Sequence, residues 1–556
     1  MHYSIPDFAR QFKTARKAIP CRASLRYAGA KMKPHSRPDA AAETTPQLPA
    51  GLRTYLYGTA GVTGAAIMIV EILGARMLAP YVGTSHFVWT AQIAVTLVAL
   101  ACGYYAGGRL VGRSTGLGRL YAAIAVAAAF LACTVAVREW VVYRFLALPL
   151  PVGSLLSSAF LFFVPLCLLA MTGPFLVRVL THSVSEVGGN VGRLTSVSTI
   201  GSFLGTVAIG YVLIPLLPNS ITMYGTAAVL IVIAVLYFLL WSRKAPALGG
   251  AAAVAVIGLT VGALGVHAEG FRNASLEELY RGNSSFGLLQ VLQVKERSSR
   301  LYLSDYLVQN TYDVRQGRSM SMFTYMLSGL ARAYAPRLDH VLCIGMGVGI
   351  VPRELSREGA AVDVVEINPS VVPIARKYFD LDTGAFRLFI EDGRYFLNRS
   401  TDTYDAVILD AFIGDSSPSH LMSREAFLAI RRVLAPDGVL VMNTFADFSS
   451  GDDFAGASLA KTLAAVFPSV RIHGARGGNT LFVASPRPDL SILHPPVFAD
   501  VHSDALADVR EAYARLWEPN PAHGIVLTDD YNPVEFYDAA NREKFRRSLA
   551  LSMKGR

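Results

Sequence analysis

Two apolar runs in this chain end in residues able to hold an adenosine-bearing molecule. VLCIGMGVGI (341–350) closes on Gly345, Gly347 and Gly349, and VDVVEIN (362–368) closes on Glu366. A strand that runs into a glycine turn lets backbone approach a nucleotide, and a carboxylate ending the next strand can accept hydrogen bonds from ribose hydroxyls. Nicotinamide dinucleotides use a similar turn and carboxylate. The acidic loop in IEDGRYFL, with Asp392 followed by Gly393, tips the balance away from a dinucleotide, and Asp410 ends a further apolar run, VILDAF.

These residues must be positioned by strand ends. LLQVLQVKE (288–296) and LYLSDYLVQN (301–310) have strand composition around RSSR and read as a β-hairpin, and a helix is predicted over 319–334. Strands and helices then alternate: VLCIGM, helix 350–358, VDVVEIN, helix 369–378, FRLFIED, a short helix from Gly393, YDAVILDAF, helix 423–434, VLVMNTF, helix 456–466, VRIHGA and TLFVASP. Such alternation predicts a doubly wound, mostly parallel α/β sheet with ligands at the carboxyl ends of its strands. Glu366, Asp392 and Asp410 all fall there.

The N-terminal half has another character. The 556 residues are 52% apolar and 17% charged, on the membrane side of the usual balance, and the excess lies between about 52 and 268. Predicted spans cover 54–79, 87–108, 120–137, 153–177, 194–216, 221–241 and 247–268, about seven helices, each able to cross a hydrocarbon layer about 30 Å thick. Ahead of them lies a basic tail, 1–53, with ten Lys or Arg against Asp7, Asp39 and Glu43. Arg109, Arg113 and Arg119, then Arg178 and Arg193, then Arg243 and Lys244 mark alternate loops, which the positive-inside rule assigns with the tail to the cytosol. Seven spans place everything after 268 on the far side; six or eight keep it in the cytosol. The net charge of +10 is explained by this bias and does not imply nucleic acid. Five cysteines without a CxxC pair argue against a structural zinc or a disulfide framework. Inside the spans, Glu71 and Arg76 are the unusual charges, and Gly201 and Gly205 have the small-xxx-small spacing of helix packing.

On the glycine turn, Glu366, Asp392 with Gly393 and Asp410, residues 284–445 resemble the class I methyltransferase-type (Rossmann-like) fold and, within it, the spermidine synthase (polyamine aminopropyltransferase) family. The whole chain resembles bacterial proteins in which a multispanning region is fused to such a domain, and VEILGARMLAPYVGTS and ACGYYAGGRL add to that likeness. The resemblance implies decarboxylated S-adenosylmethionine (or S-adenosylmethionine) as co-substrate, no metal, and cofactor contacts from Gly345, Gly347, Gly349, Glu366, Asp392 and Gly393. It implies Asp410 as the catalytic group serving the attacking amine, with Gln309, Tyr325 and Asp415 holding a small-molecule amine acceptor. The chain also departs from the family. Val348 stands where the turn carries an Asp, VQNTYDVRQGRSMSMFTYM keeps Gln309 and Tyr325 without the acidic pair and His-Glu, and DSSDP becomes DAFIGDSSPSH.

The expected organisation is a basic tail (1–53), a membrane region (54–268), a linker and β-hairpin subdomain (269–318), an α/β domain (319–545) and a basic C-terminal tail (546–556). The leading expectation is a membrane-anchored aminopropyltransferase-like transferase in a bacterial inner membrane. A methyltransferase acting on a membrane-associated acceptor, and a polyamine transporter or sensor whose soluble domain only binds, are the alternatives. The expected partners are the amine and the lipid bilayer, and a homo-oligomer is compatible with this reading. LTDDYNPVEFY, with Asp529, Asp530 and Tyr531, is either a segment closing over the acceptor or a loop ordered by turn hydrogen bonds.

Overall fold

The computed structural model describes residues 48–83, 86–113, 116–181, 183–242, a few positions between 253 and 264, 275–412, 418–446, 448, 453–475, 479–520, 522–534 and 536–537. The tails, most of the predicted 247–268 span and Asp415 therefore lie outside the described residues.

Among the described residues, six helices are long and apolar enough to cross a membrane: Ala50–Val82, His86–Val111, Leu117–Phe145, Leu150–Leu180, Val187–Leu216 and Asn219–Leu240. They are longer than the sequence reading drew them, because helix continues past the apolar stretch into polar flanks. Two are interrupted. The fourth is broken at Met171, just before Pro174, and the fifth contains a π-helical turn at Ile209–Leu213. Glycine lets neighbours approach closely: a Cβ on Gly201 would lie 2.0 Å from the Gly61 carbonyl oxygen, and one on Gly205 would lie 2.6 Å from that of Ala65. Glu71 hydrogen-bonds Thr96.

The C-terminal part opens with a five-stranded antiparallel sheet: β1 (Leu276–Ser284), β2 (Gly287–Val294), β3 (Ser299–Ser304), β4 (Leu307–Asp313) and β5 (Arg318–Ser319). This replaces the predicted hairpin. The run 301–310 is two strands, split at Asp305 and Tyr306, whose φ values of 46° and 64° form a tight reversal without the glycine that usually signals one. The predicted 319–334 helix starts at Met322, since β5 takes Ser319 and the Ser321 hydroxyl accepts from the Thr311 N–H (3.1 Å).

A seven-stranded sheet follows: β6 (His340–Ile344), β7 (Ala361–Glu366), β8 (Arg387–Ile390), β9 (Tyr404–Leu409), β10 (Leu434–Thr444), β11 (Ser469–Gly474) and β12 (Thr480–Ser485), in the order β11-β12-β10-β9-β6-β7-β8. The five strands from β10 to β8 are parallel, and β12 runs antiparallel to β10 and β11. Strands β6, β7 and β9 are almost entirely buried, as expected of a sheet covered on both faces. The chain leaves β6 toward β7 on one side and returns through β9 on the other, so a crevice opens between the ends of β6 and β9.

The two parts touch at one end of the helices. Asn283 Nδ2, at the end of β1, donates to the carbonyls of Ile214 (3.0 Å) and Leu217 (2.6 Å), and Phe536 packs 5.4 Å from the rings of His86 and Phe87.

Candidate active site

The crevice holds a cavity of about 370 Å³. Gly345 and Gly347 form its floor. Gly345 has φ 93° and its N–H donates to Val365 O (2.8 Å); a Cβ there would lie 2.1 Å from Asp410 O, so any side chain would push apart the ends of β6 and β9. Gly347, at φ 53°, also lines the cavity. Gly349 does not: it sits in left-handed backbone at the start of the Ile350–Arg357 helix, against Leu381. Its contribution is to shape the turn.

Glu366 ends β7 with its carboxylate almost buried. Oε2 accepts from Met346 N (3.0 Å) and Oε1 from Asn368 N (2.8 Å). Burial pushes this carboxyl above the ordinary value, opposed by the backbone N–H groups of Asn368, Met346 and Ile367. An ionised carboxylate offers about four lone-pair sites, and those not taken by these N–H groups are open to a ribose hydroxyl. The same carboxylate holds the glycine turn in place through Met346.

Asp392 caps the Gly393–Arg399 helix, accepting from Tyr395 N (3.0 Å), while its other oxygen meets His420 Nε2 at 2.9 Å. His420 and Gly393 line the cavity too, and a Cβ on Gly393 would strike Ile344 Cγ2 at 2.5 Å. Asp410 follows β9 with its N–H bonded to Ile344 O (2.9 Å). Its Oδ1 accepts from Asn443 Nδ2 (2.9 Å), and Asn443 Oδ1 accepts from Asn479 Nδ2 (2.9 Å). Burial pushes the Asp410 carboxyl from 3.8 up to about 6, opposed by the Asn443 hydrogen bond. It borders the cavity while protein encloses the rest of it.

Of the residues expected to hold an amine, Gln309 lines the cavity. Tyr325 lies elsewhere. Its hydroxyl donates to Ser319 O (2.6 Å) and accepts from His502 N (3.2 Å), and it faces a separate surface cleft. On the Met322–Tyr334 helix, Met322 and Phe323 face the site, and at 100° per residue Tyr325 points about 200° away from Phe323. Val348 is buried in the apolar core and does not line the cavity. Asp529 is held by Arg394 (3.0 Å) and by Ser423, and no described residue of LTDDYNPVEFY lines the cavity.

Sequence reasoning missed Asn443, Asn479, Phe286 and Asp508 and set His420 aside as a solvated loop residue, yet all five are in the cavity wall. Asn443 carried a signal, being an amide that interrupts the apolar run VLVMNTF. Phe286 belongs to the β1–β2 turn, whose Ser284 hydroxyl accepts from Phe286 N (3.2 Å) and from Asn368 Nδ2 (3.1 Å). Asn283, the residue before it, is the one bonded to the helical part, so the end of the fifth long helix is two residues from one wall of the pocket.

Known proteins match this region. Residues 320–471 fit the spermine/spermidine synthase domain. A probable polyamine aminopropyl transferase of Bifidobacterium longum is 28% identical over 278 residues, 46% of this chain and 61% of that protein. A polyamine aminopropyltransferase of Vibrio vulnificus is 38% identical over 125 residues, 21% of this chain and 41% of that protein. The chain thus spans less than two thirds of the length of either. The solved spermidine synthase of Thermotoga maritima matches over 38% of this chain and 74% of its own, at 22% identity and a TM-score of 0.33. Over residues 320–471 the α/β part of this chain is thus similar to the spermine/spermidine synthase family.

Proposed function

We propose that the α/β part transfers an aminopropyl group from decarboxylated S-adenosylmethionine to an amine acceptor. The observation that carries this reading is Asp410: a carboxyl at the switch point, raised to about 6 and held by Asn443. In the reaction the amine nitrogen attacks the carbon bonded to the sulfonium, the C–N bond forms, and the C–S bond breaks with its electron pair staying on sulfur. Methylthioadenosine leaves and the amine gives up a proton. The sulfonium needs no further activation, so alignment and proton removal are the protein's tasks. A carboxylate with pKa near 6 is ionised at neutral pH and is a stronger base than an ordinary Asp. Glu366 would hold the ribose diol, Gly345 and Gly347 would let the adenosyl moiety approach the backbone, and Asp392 would lie toward the adenine. Purified protein given the sulfonium and a diamine should release methylthioadenosine, and Asp410→Asn should abolish most of that release while leaving adenosyl binding intact. Unchanged release in the variant would refute the assignment.

Methyl transfer from S-adenosylmethionine is the second reading. Val348 favours it, because the carboxylate expected opposite an aminopropyl ammonium is here an apolar core residue. Release of S-adenosylhomocysteine in the same assay would identify it.

We propose further that the helical part spans a bilayer with the α/β part on the side opposite the Ala50 end of the first helix. Large apolar side chains face outward, among them Trp140, Phe203 and Leu204, which suits lipid and would aggregate in water. Counting passes from Ala50, the α/β contacts at His86, Phe87, Ile214 and Leu217 all fall at the end opposite Ala50, whereas Arg109, Arg119, Arg178 and Arg193 lie toward the Ala50 end. The sixth helix finishes at the Ala50 end, so this orientation requires one further crossing before β1, the part assigned to the seventh predicted span. With the basic ends in the cytosol, the pocket would open on the far side. A phosphatase fused at the C-terminus, active only outside the cytosol, should be active; a cytosol-only reporter that works there would overturn this orientation.

A further inference from the structure

We infer that the helical part carries a second binding site, for an alkylammonium, separate from the α/β pocket. A cavity of about 360 Å³ lies among the Ala50–Val82 helix, Tyr104 of the second helix, the break in the fourth helix, and the Val187–Ala208 helix. Its wall includes the hydroxyls of Thr63, Thr172, Ser198, Thr199 and Ser202, and no acidic or basic side chain among the described residues lines it.

Thr172 sets this cavity apart from an ordinary packing gap. Its side-chain oxygen is buried, with the residue 2% exposed, and has no hydrogen-bond partner among the described residues. Other buried threonines in these helices donate to a carbonyl one turn back: Thr63 to Thr59 (2.9 Å), Thr96 to Gln92 (2.9 Å) and Thr226 to Thr222 (2.9 Å). An unpaired buried hydroxyl costs about 1–3 kcal/mol, and in natural chains such a group usually has a reason. Thr172 sits where the helix is broken. Two residues on, Pro174 has no N–H to offer the Ala170 carbonyl, and Ala170, Thr172, Gly173 and Pro174 all line the cavity. Broken helices with freed carbonyls are where cations bind in many membrane proteins.

The oxygens also define the ligand. Thr63 donates to Thr59 O, and Ser202 to Gly64 O (3.1 Å). Each hydroxyl has one proton, so these two present only lone pairs to the cavity. The Ala170 carbonyl is likewise an acceptor. A ligand that fits must bring several N–H donors, and a primary ammonium brings three. Neutral oxygens in place of carboxylates suit an ammonium that binds and leaves. The site stands on the helical geometry alone, and the amine chemistry proposed for the α/β pocket supplies only the choice of probe.

The test uses the full chain in lipid nanodiscs, titrated with labelled 1,4-diaminobutane. Two classes of diamine site are expected. Thr172→Val should weaken one at least fivefold and Thr172→Ser should restore it, with 5′-methylthioadenosine binding unchanged in both; Asp410→Asn should affect only the other. Butane-1,4-diol should not compete. If Thr172→Val alone fails to fold, the Ser198→Ala/Thr199→Val pair provides the same readout. Diamine binding insensitive to these helical substitutions would overturn the inference while leaving the α/β reading intact, and loss through the helical substitutions alone would do the reverse. A diol that competes as well as the diamine would overturn the ammonium assignment.

Discussion

Asn443 should set the pH at which the enzyme turns on. Its amide donates to Asp410 Oδ1 at 2.9 Å and so stabilises the ionised carboxylate. With Asp410 at about 6, about nine tenths of the carboxyl is ionised at pH 7 and about one tenth at pH 5, so turnover should fall roughly tenfold over that interval. A hydrogen bond to a charged group is worth about 1.5–3 kcal/mol. Removing it in Asn443→Ala should therefore raise the Asp410 pKa by about one to two units and carry the acid limb toward about pH 7–8. Asp410→Asn should lose about 10²–10⁴-fold at every pH, the usual worth of a general base. The assay is methylthioadenosine release from pH 5 to 8.5. The acceptor amine titrates as well, but equally in all variants, so the displacement between their limbs isolates Asp410. The reasoning fails if Asn443→Ala leaves the limb where it was. The linkage has a second readout. A carboxyl whose folded pKa is raised from 3.8 to about 6 costs nothing below the lower value, and its full penalty is present above the upper one. Asp410→Asn should thus stabilise the fold at pH 8 by at most about 3 kcal/mol, reduced by water entering the cavity, with the gain vanishing near pH 4.

Other substitutions test the remaining parts of the site. Glu366→Gln should weaken 5′-methylthioadenosine binding by about tenfold or more in calorimetry, because the carboxamide nitrogen opposes the N–H groups of Met346 and Asn368. Tyr325→Phe should leave turnover within about twofold and lower the unfolding free energy from urea titration by about 1 kcal/mol, since its hydroxyl serves Ser319 and His502 and not the cavity. Asn283→Ala should raise KM for the sulfonium several-fold with kcat little changed, through loss of the bonds that seat the β1–β2 turn on the helical part; an unchanged KM would mean that the turn holds its position unaided.

What the sequence disclosed follows from the range of the forces involved. The glycine turn is a local matter of backbone sterics, and a lone acid closing an apolar strand is visible in the string, so Gly345, Gly347, Glu366, Asp392 and Asp410 could be placed at strand ends without coordinates. Long-range partners could not. Asn479 reaches Asp410 through Asn443 from a turn 69 positions away, and His420 reaches Asp392 across 28. Tyr325 was carried by motif likeness, and helical phase decided against it. Asp305 and Tyr306 concealed a strand reversal because neither is glycine. The Ser and Thr hydroxyls that line the helical cavity are spread over three helices and read in sequence as ordinary small-residue packing.

The junction between the two parts gives the helical region a role beyond attachment. A free helix end needs its last carbonyls satisfied. After the π-helical turn Ile209–Leu213, those of Ile214 and Leu217 are satisfied by Asn283, a side chain of the α/β part. The next residue, Ser284, binds Phe286 N and the Asn368 side chain, and Asn368 N holds Glu366. A shift of the fifth helix end would therefore act on the carboxylate that is to hold the ribose, within four hydrogen-bonded groups. π-Helical turns are rare and frequently lie at functional sites, and this one lies immediately before the capped carbonyls. A fragment beginning at β1 would keep the sheet, the glycine turn and Asp410 but lose the partner that fixes Asn283, so its deficit should appear in cofactor affinity rather than in folding of the sheet.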